Sequence, residues 1–192
     1  MDQAEKLRKI IEGLKLKRMD IPESKIEPPR KRKAKVITVT SGKGGVGKTN
    51  ISVNMAITLG KLGYKVLIID ADFGLANIDV LFGIIPKYSL VDVIRGERNI
   101  DEVLSDGPEG IKFISGGSGV EELIRLEKEQ MDSFIKNISM LDETFDIIII
   151  DTGAGLADSV MKLAIAADEV LLVVTPEPTS ITDAYALIKM VS

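Results

Sequence analysis

Ser41-Gly42-Lys43-Gly44-Gly45-Val46-Gly47-Lys48-Thr49 is the stretch that decides the fold. Gly42, Gly47, Lys48 and Thr49 fit the G-x-x-x-x-G-K-[ST] pattern of a phosphate-binding loop. The apolar run Val36-Ile37-Thr38-Val39 precedes it, as a buried strand should. Ile51, Met55, Ala56, Leu59 and Leu62 follow with helical spacing, and Gly63 closes that segment. Strand, glycine loop and helix together aim backbone N–H groups and a helix N-terminus at a polyphosphate. An ordinary glycine-rich turn is the plain alternative, and the flanking strand and helix weigh against it. In such a loop Lys48 is expected on the β- and γ-phosphates, and the Thr49 hydroxyl on Mg²⁺.

Outward from the loop, strands are expected at Val36–Val39, Val66–Ile69, Ile111–Ser115, Ile147–Ile150 and Val170–Val174. Most are continuous apolar runs, the pattern of strands buried on both faces of a parallel sheet. Helical patterns fall between them at Lys48–Leu62, Val91–Gly96, Ile100–Leu104, Val120–Leu141 and Leu156–Ala166. The alternation predicts a doubly wound, mostly parallel α/β domain over 36–192, with ligands at the carboxyl ends of its strands. The last pattern, Ile181–Ser192, stops without a cap or a following strand, so the domain reads as truncated.

The 192 residues, 45% hydrophobic and 28% charged, suit one domain with a sizeable core. No apolar run approaches the ~18 residues of a membrane span, and a signal-peptide pattern is lacking. The chain has neither cysteine nor histidine. Disulfides, thiol nucleophiles and iron–sulfur ligation are excluded, and proton transfer near neutral pH falls to carboxylates, lysines, tyrosines or the substrate. Both absences fit a cytoplasmic protein.

The net charge of −4 hides an asymmetry. Residues 1–35 carry 12 Lys/Arg against 6 Asp/Glu, and the remainder 13 against 23. Residues 21–35, with Pro22, Pro28, Pro29 and Arg30-Lys31-Arg32-Lys33, read as a flexible basic linker. Ahead of it, in residues 1–20, Ala4, Leu7, Ile10, Ile11 and Leu14 form one helical apolar stripe. A helix this short is marginal alone in water, so it is expected to dock on its own domain or on another protein.

Two further loops lie at predicted strand ends. In Asp70-Ala71-Asp72 the alternation of an extended chain points both carboxylates the same way. One is expected near the metal's water shell, the other beside a water facing the γ-phosphate. Asp151 ends the Ile147–Ile150 run like a Walker B carboxylate, and Thr152-Gly153-Ala154-Gly155 reads as a γ-phosphate-sensing switch. Capping explains many single aspartates of this kind, but three beside a phosphate loop form a stronger pattern. Lys43 is a second loop cation, which taken alone would be read as a solvated lysine.

Lys43-Gly44-Gly45-Val46-Gly47-Lys48-Thr49 resembles the deviant Walker A motif of the MinD/ParA family of ATPases. Asp70 to Asp79 resembles that family's switch I, and Asp151-Thr152-Gly153-Ala154-Gly155 the switch II of its FlhG branch (also written FleN or YlxH), where MinD itself usually has a proline. Asp2-Gln3-Ala4-Glu5-Lys6-Leu7-Arg8 is similar to the D-Q-A-x-x-L-R motif that opens FlhG proteins. The resemblance covers residue 36 to the end, plus that motif. It implies ATP or ADP held by Gly42, Lys43, Gly44, Gly45, Val46, Gly47, Lys48, Thr49, Asn50, Asp70, Asp151 and Gly153. It further implies Mg²⁺ near Thr49, Asp70 and Asp151, and catalysis by Lys43, Lys48 and Asp72, with Lys43 reaching a dimer partner's phosphates. Asp2, Gln3, Ala4, Leu7 and Arg8 would engage an FlhF-type signal-recognition GTPase and stimulate its hydrolysis. Flagellar C-ring proteins are further implied partners. Family members continue past this chain's end with more sheet and a C-terminal amphipathic helix that binds membrane, so peripheral attachment at the inner face of the cell membrane is expected only of a longer protein.

The expected function is therefore an ATP-dependent dimerising switch that controls flagellar number or placement. A septum-site or DNA-partition ATPase of the same family is the first alternative. The acidic balance after residue 35 counts against nucleic acid as a partner. A small-molecule P-loop ligase or kinase is the second, and a binding module without hydrolysis the third; Asp72 argues against the latter.

Overall fold

The computed structural model describes residues 33–72, 77–117 and 128–191. The 1–20 helix, all but the last residues of the linker, the middle of the expected switch I and the first part of the expected Val120–Leu141 helix lie outside the described residues.

Among the described residues six strands form one sheet: β1 (Lys35–Ser41), β2 (Val66–Ala71), β3 (Ser105–Asp106), β4 (Lys112–Ile114), β5 (Ile147–Ala154) and β6 (Glu169–Leu172). Their order is β3-β4-β2-β5-β1-β6, parallel except for β3 against β4. The helices are α1 (Lys48–Lys61), α2 (Ile78–Phe82), α3 (Leu90–Ile94), α4 (Lys128–Ser139), α5 (Asp158–Ala166) and α6 (Pro178–Val191). The expected α/β architecture is thus present. The pattern at Ile100–Leu104 folds as a 3-10 turn, Ile100–Val103. β3 and α2 carry no sequence signal of their own, because two and five residues are too short to show a period.

Alternation along the central strands explains why they read as continuous apolar runs. Leu67 and Ile69 of β2 join Ile148 and Ile150 of β5 in a core completed by Met131, Phe134 and Ile138 of α4 and Leu163 of α5. Val66 and Ile68 face the other way, with Ile149, Phe113 and Val39, against Val53 and Ala56 of α1 and Ile78 of α2. β2 and β5 thus bury both sets of side chains, which only a sheet covered on both faces permits, whereas β6 at the edge is largely exposed.

β5 lies between β1 and β2, and the registers Val39↔Asp151 and Asp70↔Asp151 bring three strand ends to one level. At the end of β2, Asp70 turns inward and holds the start of α2. Its Oδ2 accepts the backbone N–H groups of Asn77 (2.8 Å) and Ile78 (3.1 Å), and its Oδ1 that of Asp72 (3.2 Å). This carboxylate caps the N-terminus of α2 from seven residues upstream of Asn77, a place where a negative charge is favoured. Burial nevertheless outweighs those donors and pushes the Asp70 carboxyl up to about 7.

A carboxyl with a raised folded-state pKa holds its proton more tightly when native than when unfolded. Stability of the nucleotide-free protein should therefore fall as pH rises from about 4 towards about 7, and level off above. Urea unfolding midpoints at pH 5 and pH 7.5 measure this, and Asp70→Asn should bring the two midpoints closer together.

Candidate nucleotide site

The loop between β1 and α1 owes its path to glycines. Gly45 and Gly47 adopt φ of 76° and 93°, the left-handed region that a β-carbon disfavours. Gly47 is also the N-cap of α1, no side chain caps that end, and the first turn holds no acidic residue. Backbone donors there are left for an anion. Lys48, the first helical residue, is only 8% exposed. Val46 sends its side chain into the core, so its contribution to the loop is its backbone.

Above the loop lies a cavity of about 530 Å³ lined by Gly44, Gly45, Gly47, Lys48, Thr49, Asn50, Asp72, Asn77, Val80, Leu81 and Ala154. The first seven are residues that the sequence motifs single out. Asn77, Val80, Leu81 and Ala154 arrive through the packing of α2 and the end of β5. Asn77 is legible in the sequence only as part of the Asp70–Asp79 segment. Gly153 stands beside Asp72: a β-carbon there would meet Asp72 Oδ1 at 3.4 Å, so its lack of side chain gives that carboxylate room.

Asp70 and Asp72, expected to point the same way, divide. Asp72 faces the cavity, whereas both oxygens of Asp70 are taken by backbone donors. That commitment leaves Asp70 with less acceptor capacity for a cation than Thr49 and Asp151, the other residues expected near Mg²⁺. Asp151 is 1% exposed and accepts a hydrogen bond from Ser52 Oγ through Oδ1 at 2.8 Å. Its Oδ2 is buried with no hydrogen-bond partner among protein atoms, an acceptor suited to a cation or its water. Burial raises the Asp151 pKa, opposed by the Thr49 and Ser52 hydroxyls and the Lys48 charge, and assisted by Asp72.

Two loop residues face elsewhere. A β-carbon on Gly42 would fall 2.3 Å from Asp183 Cβ and 2.6 Å from its carbonyl carbon, so only glycine lets β1 pass under α6. Lys43 lies outside the cavity wall and pairs with Glu177 at 2.6 Å. Their side chains are 43% and 54% exposed, so the pair holds the lysine weakly and leaves it able to exchange partners. Glu177 carries no sequence signal.

The AAA_31 family model (AAA domain) matches residues 34–192. Antiactivator FleN of Pseudomonas aeruginosa is 50% identical over 157 residues, covering 82% of this chain and 56% of that protein. Flagellum site-determining protein YlxH of Helicobacter pylori is 42% identical over 173 residues, covering 90% and 58%. The chain thus spans little more than half the length of these relatives. Among solved structures, the cell division ATPase MinD of Pyrococcus furiosus superposes with a TM-score of 0.72 at 31% identity, covering 80% of this chain and 65% of that one. MinD of Pyrococcus horikoshii, solved with Mg-ADP, gives 0.72 at 29% identity, covering 81% and 65%. With a glycine loop carrying two lysines, a MinD-like sheet and these relatives, the chain belongs to the AAA_31 family, in its MinD/ParA type, alongside the flagellar proteins FleN and YlxH.

Proposed function

We propose that this chain is the nucleotide-operated part of an ATP-dependent dimerising switch, a weak ATPase that regulates flagellar number or placement. The observation that carries the reading is the cavity in which Lys48, Thr49 and Asp72 converge above an uncapped helix N-terminus. Similarity to FleN and YlxH supports the flagellar setting. The loop from Gly44 to Thr49 holds the phosphates, with Lys48 on the β- and γ-groups. Thr49 and the partnerless oxygen of Asp151 are the groups that would hold Mg²⁺, which when bound neutralises charge on the phosphate oxygens. Asp72 orients the attacking water. Lys43 leaves Glu177 for the phosphates of a second copy, coupling hydrolysis to dimerisation.

In this reading residues 1–20 are a partner-activating segment, 21–35 a tether and 36–192 the ATPase domain. Asp2, Gln3, Ala4, Leu7 and Arg8 engage an FlhF-type GTPase, with C-ring proteins as further partners. The site of action is cytoplasmic, with peripheral membrane attachment belonging to a longer chain. Among the described residues no helix is long and apolar enough to cross a membrane.

Lys48→Ala should cost about 3 kcal/mol of nucleotide binding, since a charge-assisted contact in a desolvated site is lost; calorimetry that finds undiminished ATP affinity would end the assignment. Asp72→Ala should bind ATP, fail to hydrolyse it and accumulate as a dimer in the full-length protein. Lys43→Ala should lose both dimer and turnover, and normal behaviour of that variant would favour an ordinary P-loop enzyme. A peptide of residues 1–20 should stimulate GTP hydrolysis by the FlhF-type partner, less so with Gln3→Ala and not at all with Leu7→Asp. Unchanged stimulation by a protein lacking residues 1–20 would exclude that role.

A further inference from the structure

Ser52 sits one turn into α1, four residues after Lys48, and is fully buried. Its hydroxyl faces two acceptors: the Lys48 carbonyl at 3.1 Å and Asp151 Oδ1 at 2.8 Å. A hydroxyl has one proton, and the shorter, charge-assisted contact to the carboxylate claims it. Two other side chains of α1 show what ordinary back-bonding looks like. Asn54 donates to the Asn50 carbonyl and Thr58 to the Asn54 carbonyl, both at 2.7 Å, on the exposed face and with no second acceptor. Ser52 alone among these three turns inward to a strand end, 99 residues away in the chain.

We propose that Ser52 is a positioning residue for the cation site: by holding Asp151 Oδ1 it aims the partnerless Oδ2 toward Thr49, so that Asp151 meets the Mg²⁺ of a bound nucleotide without reorganising. This rests on the nucleotide reading above. The same bond ties the first turn of α1, which carries Lys48 and Thr49, to the end of β5. Without it a buried carboxylate, already penalised by desolvation, loses one of the two hydroxyls beside it, and its orientation falls to Thr49, itself expected at the cation, and to the cation. Ser52 touches neither phosphate nor metal in this arrangement, so its effect should appear in the metal dependence of binding rather than in the grip of the loop on phosphate.

The test uses ADP as probe, titrated by calorimetry into the whole chain in EDTA and over a series of MgCl₂ concentrations. Two substitutions remove the strong donor: Ser52→Ala, which shrinks the side chain, and Ser52→Cys, which nearly keeps its size in a protein with no other cysteine. Both should leave Mg²⁺-free ADP affinity unchanged and raise the Mg²⁺ concentration at half-effect about tenfold. A Ser52→Cys protein with wild-type Mg²⁺ dependence would overturn the proposal, and so would equal loss of ADP affinity with and without Mg²⁺, which marks a packing role. If Ser52→Ala fails to fold, the cysteine variant decides the matter. A wild-type chain that binds no ADP would instead overturn the nucleotide reading.

Discussion

Everything at the site depends on β5 being hydrogen-bonded between β1 and β2 in a fixed parallel register. A one-residue slip would exchange the two faces of the strand and send Asp151 into the apolar core. Close packing on both faces opposes such a slip, because Ile148 and Ile150 of β5 would have to exchange faces with Ile149 and fit the cavities shaped for it. The apolar core therefore sets the height at which the phosphate loop, Asp72 and Asp151 meet. Stability and site geometry share one cause.

Two buried carboxylates stand side by side in that register and have taken different tasks. Asp70 spends its oxygens on backbone donors and fixes the start of α2, which carries Asn77, Val80 and Leu81 to the cavity. Asp151 keeps one oxygen uncommitted. Both lie in surroundings that disfavour their charge, and a bound cation would relieve Asp151 in particular. Cation binding is thereby coupled to the electrostatics of the buried pair.

The loop is also tied to α6. Gly42 passes under the backbone at Asp183 with no space for a side chain, and Lys43 reaches Glu177 just before the helix begins. A displacement of α6 would thus be felt first by the residue that carries the loop's second cation. The ion pair, half in solvent, supplies little stability, so it orders Lys43 without trapping it.

The sequence by itself determined the phosphate loop, the helix after it, the apolar strands and the acidic residues at their ends. These are local matters: glycine's tolerance of positive φ, a helical period, runs of β-branched residues. It overstated the likeness of Asp70 and Asp72, because strand alternation says nothing about which carboxylate meets the backbone N–H groups of Asn77 and Ile78. It missed β3 and α2, too short to carry a period. Only the tertiary structure decided that Ser52 meets Asp151, that Lys43 meets Glu177 across 134 residues, and that Val80 and Leu81 wall the cavity. Such contacts arise from strand order and register, which result from how two apolar faces are covered at once, and no local pattern encodes that.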